Sequence, residues 1–438
     1  MKLRRILTLF VAAFSVLAVS AQRPKDAHKF YKFVNLPDSM AVYQAIYSNT
    51  PLESEFMLVP KFAIVGFNNQ FLFSVGASMK FTASYDWGNP VRKTNEMGLA
   101  QISPALDGEK KLFQMGASGS GVYFNIIGFP NTANQVGLFV SFCLDKDSDN
   151  KYTVSTGHIY LRYRGFQAGF TSSLYNEPVA DTYTIDENGP CSSGSHSVIG
   201  VNYRHNFTHW YLGGGVEVPK SANSVTQIVP EGYTPAEVKN RARLNTQTTP
   251  DFPLYVGYRF NDGHVRLSGI IRRLHYVDYQ VGNGRSELGY GVKLTTTFDI
   301  HNFRFYGMTQ YGKGIANYLK DNSGEGLDLV PVDNEPLGTL KPTSSFGFLV
   351  AAQYYFTSRL FTGFQYSFMR NYIPKYSMEA TTSWGSQLRR GYTITANLIW
   401  KISPIFNVGI EYLYGNRTDE SYQNLHNNRA YAMLFVNF

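Results

Sequence analysis

The chain has 438 residues, of which 43% are apolar, 15% aromatic and only 16% charged, with a formal net charge of +8. Its 32 Phe and 31 Tyr exclude a disordered chain, which could not leave that much apolar surface in water. Two cysteines exclude a disulfide-dense scaffold. The basic balance is not followed by a lysine-rich helix or zinc-finger spacing, so nucleic acid is not an expected partner.

Residues 1–21 read as an export signal. Met1-Lys2-Leu3-Arg4-Arg5 is positive, Ile6 to Val19 is uncharged and mostly apolar, and Val19-Ser20-Ala21 offers small residues for cleavage before Gln22. A signal anchor is the alternative, but the stretch is short for a spanning helix. No cysteine follows the cut, which argues against a lipoprotein. No later run of 18 apolar residues exists, so the exported chain is either soluble or inserted as a barrel. Residues 22–70 then form an N-terminal periplasmic or plug-like extension, with Asp38-Ser39 placed to cap a short helix over 40–47.

From residue 71 onward the pattern is alternation, as in Ser74 to Tyr85 and Arg304 to Tyr311. One face is apolar and the other is rich in Gly, Ser, Thr, Gln and Arg. Sixteen such segments can be laid out: 71–86, 111–128, 134–145, 153–164, 166–175, 196–206, 209–218, 251–260, 263–276, 285–299, 302–313, 344–357, 359–371, 388–402, 405–417 and 427–438. Most have the length of a tilted membrane-crossing strand. Their connections alternate short and long along the chain. The long ones centre on 87–110, 146–152, 176–195, 219–250, 277–284, 314–343, 372–387 and 418–426. An all-β fold follows: an antiparallel transmembrane barrel of about 16 strands over 71–438, with short periplasmic turns and long external loops. A soluble sandwich has no reason to put every long loop at one end.

Lipid offers no hydrogen bonds, so the apolar parity faces out and the polar parity lines the lumen. Ile159, Leu161 and Tyr163 then face lipid, with His158, Tyr160, Arg162 and Arg164 inside. The same parity turns Arg204, Arg266, Arg272, Lys293 and Arg304 inward and leaves Arg273 to snorkel near an interface. A lumen arginine serves either the permeating solute or the solvation of the wall. Tyr85, Trp87, Trp210, Tyr211, Tyr354, Tyr355, Trp400, Tyr412 and Tyr414 fit interfacial girdles at strand ends.

The third long loop carries Glu177, Asp181, Asp186 and Glu187. Folded into a basic lumen, Asp181, Asp186 and Glu187 would narrow it as a charged constriction; splayed outward, they would be a surface loop. Cys143 at an outer strand end and Cys191 in this loop are a candidate disulfide. Catalytic signals are missing: no Gly-x-Ser-x-Gly elbow stands on a strand-to-helix turn, and no His-Glu-x-x-His or zinc spacing occurs. Asp321 to Asp328 has oxygen ligands for calcium but not the EF-hand spacing, so a solvated loop is the plainer reading. No metal, no cofactor and no enzymatic activity are expected.

Four stretches, in order, resemble the DcaP-like trimeric outer-membrane porin family. They are the acidic loop Asp181 to Pro190, the hairpin Pro253–Arg259 with Gly263–Leu274, Lys313–Leu319 followed by Gly326-Leu327-Asp328, and Ala396–Trp400 through Gly409–Gly415 with Asn428-Arg429. The closing Phe438 looks like the terminal aromatic read by barrel-assembly machinery. The resemblance implies a homotrimer in the outer membrane of a Gram-negative bacterium, in contact with its lipid and passing small anionic, dicarboxylate-like solutes. No heptad coiled coil stands at the amino end, where some members have one. Two other classes stay open: a barrel with a blocked lumen serving a secretion or surface complex, and a hydrolase built on a barrel.

Overall fold

The computed structural model describes residues 31–35, 39–51, 60, 62–66, 69–106, 108–146, 151–194, 197–219, 242–243, 248–278, 283–323, 325–331, 340–373 and 387–438. The expected signal segment 1–21 and most of the 219–250 loop lie outside them. The described chain forms a closed antiparallel 16-strand barrel. In order, the strands are β1 (Phe71–Gly88), β2 (Lys111–Gly116 and Gly121–Gly128), β3 (Val136–Lys146), β4 (Tyr152–Tyr163), β5 (Phe166–Ser172), β6 (Ser197–Asn206), β7 (Trp210–Pro219) and β8 (Phe252–Phe260). They continue with β9 (Gly263–Asp278), β10 (Asn283–Ile300), β11 (Phe303–Lys313), β12 (Ser344–Tyr355), β13 (Leu360–Tyr372), β14 (Leu388–Lys401), β15 (Phe406–Asp419) and β16 (Asn424–Asn437). Every neighbour is antiparallel, and β16 pairs back onto β1 from Asn437↔Ser78 to Asn427↔Gly88. No helix among the described residues is long and apolar enough to cross a membrane.

Period 2 explains the two faces. On β9, Leu267 and Ile271 are exposed while Arg266, Ser268 and Arg272 between them are buried. On β4, Ile159, Leu161 and Tyr163 face out and Tyr160 is buried. Arg273 lies on the outer parity, as expected, and is exposed. The tightest turn, Arg164-Gly165, has positive φ at both residues (45° and 84°), the geometry whose twist matches a right-handed hairpin.

Alternation also corrects the aromatic reading. Trp210 and Trp400 point outward near the short turns, and Tyr85, Trp87 and Tyr412 form an outer belt toward the long loops, with Trp87 6.1 Å from Tyr412. Tyr211, adjacent to Trp210, must take the other face and is buried in the lumen. Tyr355, adjacent to Tyr354, packs inward beside Phe361 (ring centroids 5.5 Å). The segment expected as one strand over 111–128 is broken at 117–120, where Gly119 adopts φ 80°.

At the short-turn end β1 overshoots β16, whose last bond runs from Phe438 N to the Ala77 carbonyl (2.8 Å), so Phe71 to Gly76 extends past it on the seam side. The strand Phe62–Gly66 covers part of that edge through Ile64↔Phe73 and Val65↔Leu72, and pairs in turn with Tyr31–Asn35. Exposed ladder edges invite pairing with other chains, so the cover has a use. Between these strands runs the helix α1 (Met40–Asn49), two residues longer than the spacing predicts.

Candidate pore and the loops that shape it

Three of the long connections turn back into the barrel. Loop 3 (173–196) leaves β5 and is pinned to the opposite wall by side chains from five strands. Glu411 on β15 accepts from the amides of Ile185 (2.7 Å) and Asp186 (3.0 Å). Asn397 on β14 donates to the Tyr183 carbonyl (2.9 Å), and Ser367 on β13 accepts from the Ser192 amide (3.0 Å). Tyr431 on β16 donates to Asp186 (2.7 Å), and Lys80 on β1 donates to the Ile185 carbonyl (2.8 Å) and to Glu187 (3.0 Å).

Loop 1 (89–110) is held by Arg429, which is fully buried on β16. Its guanidinium takes Asp86 on β1 (Nη2 to Oδ2, 2.7 Å) and the carbonyls of Val91 (2.7 Å), Lys93 (2.8 Å) and Glu96 (2.9 Å). Loops 1 and 3 join through Met97 N to Asp186 (2.8 Å) and Glu187 N to the Asn95 carbonyl (2.9 Å). Loop 6 (314–343) enters the same knot: Asp321 accepts from Leu99 N (3.1 Å) and from Asn188 (2.5 Å). Around these bonds Val91, Met97, Leu99, Ile102, Ile185 and Leu319 pack with Phe361, Met369, Leu413 and Met433 of the wall. The half of the lumen facing β12–β16 therefore contains a packed core.

The other half is open. A cavity of about 830 Å³ lies between loop 3 and the wall of β4–β9. Its wall side presents Arg162, Arg204, Arg259, Arg266, His158 and His264, and its loop side presents Glu177, Asp181, Asp186 and Glu187. Three guanidiniums lie on tyrosine rings: Arg162 over Tyr160 (4.7 Å), Arg259 over Tyr211 (4.4 Å) and Arg266 over Tyr255 (3.8 Å). Such stacking holds the planar group in place, and Arg266 is fixed further by donating to Ser268 (2.9 Å) and to the Leu174 carbonyl.

Glu177 is shared among His264 (3.2 Å), Arg266 (3.7 Å) and the hydroxyl of Thr295. Burial alone would raise its carboxyl, but the His264 contact and the Arg266 charge bring it below the usual range. Asp181 is pushed up to about 6 by desolvation, against the attraction of Lys293 and Lys320 and with Glu177 adding to the rise. Asp186 is also raised by burial, with Tyr431 and Arg429 working the other way. Asp321 is pushed up to about 7, by burial first. Burial thus raises Asp181, Asp186 and Asp321 together, while Glu177 is shifted the other way.

Of the residues the sequence placed in the lumen, Arg162, Arg204 and Arg266 line the cavity together with Asp181, Asp186 and Glu187. Arg272 does not. It is fully buried between Asp251 and Asp328 (3.0 Å each), because loop 6 closes over it. Lys293 is buried beneath loop 3, donating to Asn176 (2.9 Å). Arg304 sits near the short turns in a two-point pair with Asp299 (2.7 and 2.9 Å), away from the cavity. The candidate disulfide is not formed. Cys191 is a buried thiol beside Ser367 (3.4 Å), pushed up to about 12 by burial, and Cys143 stands on β3, opposite Gly121 and Ser155. Among the described residues no group of three or more His, Cys, Asp or Glu is placed to hold a metal ion. Asp321 and Asp328 instead accept from Leu99 N and Asn317 N.

Arg259 and the inward course of loops 1 and 6 were missed. Arg259 shares the inner parity of Tyr255 and Gly257, which alternation reveals. Loop 1 carries Val91, Met97, Leu99 and Ile102, an apolar load that an external loop does not need.

No family model matches the sequence, and no curated protein does. Solved structures do match in fold. The outer-membrane channel DcaP of Acinetobacter baumannii aligns at TM-score 0.67 and 15% identity, over 84% of this chain and 97% of that one. The anion-selective porin from Comamonas acidovorans aligns at 0.50 and 9% identity, over 84% and 100%. OmpT, an outer-membrane protein of Vibrio cholerae, aligns at 0.50 and 12%, over 84% and 98%. The chain has the fold of an outer-membrane porin channel, and the likeness to DcaP-like porins read from four short stretches extends along the barrel.

Proposed function

We propose that the protein is a porin for passive diffusion of small hydrophilic anions, dicarboxylate-like in character, with loop 3 as the constriction and a homotrimer as the working assembly. One observation carries the reading: four arginines converge on the open half of the lumen, and the Arg204 guanidinium has only Asn202 (3.3 Å) as partner among the described residues. A cluster of like charges in a low-dielectric wall focuses positive potential, which raises the local concentration of anions without tight binding. Opposing charges across a narrow passage are how channels select.

The planar-bilayer reversal potential under a salt gradient tests this. Anion preference is expected, together with three-step closure; clear cation preference overturns the charge assignment. A second reading, a blocked barrel serving a surface complex, is favoured by the packed core that loops 1, 3 and 6 build inside the lumen. It predicts no conductance and a stably co-purifying partner.

A further inference from the structure

The short-turn mouth of the cavity is shaped by α1. Its apolar side, Ala45 and Ile46, packs on Leu72 and Ile127 of the inner wall and on Ala63 and Val65 of the covering strand. The helix has no basic residue in its last turn. Of its last carbonyls, those of Ile46 and Tyr47 take the Thr50 amide, and the final two are capped by the barrel. Tyr160 donates to the Asn49 carbonyl (2.6 Å), and Arg162 donates to the Ser48 carbonyl (2.6 Å). Asn49 reaches Asn125 on β2 (2.9 Å) and lies where β3 carries Gly137; a Cβ there would stand 2.2 Å from the Asn49 Oδ1. The wall is thus cut to receive this helix.

The cap is shared with the pore. Arg162 and Pro51, directly beyond α1, both line the arginine cavity. The negative end of a helix attracts a cation only weakly and with strong screening, whereas a carboxylate or sulfate makes charge-assisted pairs with a guanidinium. We infer that α1 is a seated wedge at the short-turn mouth whose latch, Arg162, is contested by the permeating anion. An anion held at Arg162 and Arg204 draws the guanidinium from the Ser48 carbonyl, loosens the wedge and widens the exit. This rests on the anion-porin reading, and it assigns that site a means of regulation.

Gln135 donates to Ser48 (3.1 Å), so this pair reports whether α1 is seated. The full chain with Ser48→Cys and Gln135→Cys, in a Cys143→Ser, Cys191→Ser background, is reconstituted in bilayers. Cross-linked protein is expected to conduct severalfold less than the same protein after reduction. Cross-linking is expected to be severalfold slower in sodium sulfate than in sodium chloride of equal ionic strength. Equal conductance before and after reduction overturns the wedge, and equal cross-linking rates in the two salts overturn the shared latch. Gly137→Leu, which drives a side chain into the seat of Asn49 and stands directly across the strand pair from Arg162, is expected to raise conductance; conductance at the parent level counts against the wedge. The reversal potential reads the porin proposal independently. Cation preference sinks that proposal while the conductance difference on reduction still judges the wedge.

Discussion

The two halves of the lumen use the same residue types to opposite ends. Toward β12–β16 and β1, arginines are closed off. Arg429 on β16 is saturated by Asp86 and three loop carbonyls, and Arg272, although it stands on β9, is closed off in the same way by Asp251 and Asp328 where loop 6 covers it. Toward β4–β9, Arg162, Arg204 and Arg259 take neutral partners (Gln167, Asn202 and Asn206), and Arg162 and Arg259 also lie on tyrosine faces. A buried charge must be matched where it stands, so the first set builds the loops into the wall. A charge bordering a wet cavity keeps part of its hydration and can act on a passing solute. The lesson is that an inward arginine is assigned by what closes over it.

The strongest way to break this contrast is Arg429→Met. It leaves Asp86 buried and uncompensated, a loss of about 3–5 kcal/mol. Lower stability to denaturant in detergent is expected, with larger and noisier single-channel conductance as loop 1 leaves the lumen. Retention of the parent conductance would show that loop 1 does not depend on this clamp.

Neutralising the open half comes next. Arg162→Gln, Arg204→Gln and Arg259→Gln together are expected to abolish anion preference in reversal-potential measurements while leaving thermal unfolding close to the parent. Arg304→Gln serves as control, because its pair with Asp299 lies away from the cavity.

A smaller effect follows from Asp181. Its folded value of about 6 stands above the ordinary carboxylate value of 3.8, so acidification from pH 7 to 5 protonates it and removes one negative charge from loop 3. Anion preference should then rise ~2-fold, the scale of one charge acting across a wet passage. The same sign applies to stability: the raised value disfavours the folded state above pH 6 and ceases to do so as pH falls toward 3.8. Asp181→Asn should flatten the pH dependence of the reversal potential.

The smallest effect is at Cys191. A thiol pushed up to about 12 is not nucleophilic at pH 8, so maleimide labelling of the folded protein is expected only at Cys143. Labelling of Cys191 at a comparable rate would mean that loop 3 leaves the wall on the reaction timescale.

Much of the barrel was legible along the chain. Strand positions, the side each residue faces and the alternation of short and long connections follow from period 2, a local property that lipid on one side and water on the other make almost compulsory. Where local pattern misled, adjacent residues were treated alike: Trp210 with Tyr211, and Tyr354 with Tyr355. Arg272, Lys293 and Arg304 share the parity of Arg266, and nothing within their strands distinguishes them. What separates Arg272 and Lys293 is the partner that arrives from about 20 to 120 positions away, as Asp251, Asp328 and Asn176 do, whereas Arg304 is taken by Asp299 on the neighbouring strand.

The sequence by itself determined a closed wall, its greasy and polar faces, and a lumen rich in arginine, because alternation needs only the nearest neighbours. Tertiary structure alone decided that loops 1, 3 and 6 fill one half of that lumen, that α1 seats at its mouth, and which arginines remain to meet a solute. Those outcomes depend on which long loop packs beside which strand, and that is settled by burial of apolar side chains and pairing of buried charge across the whole barrel.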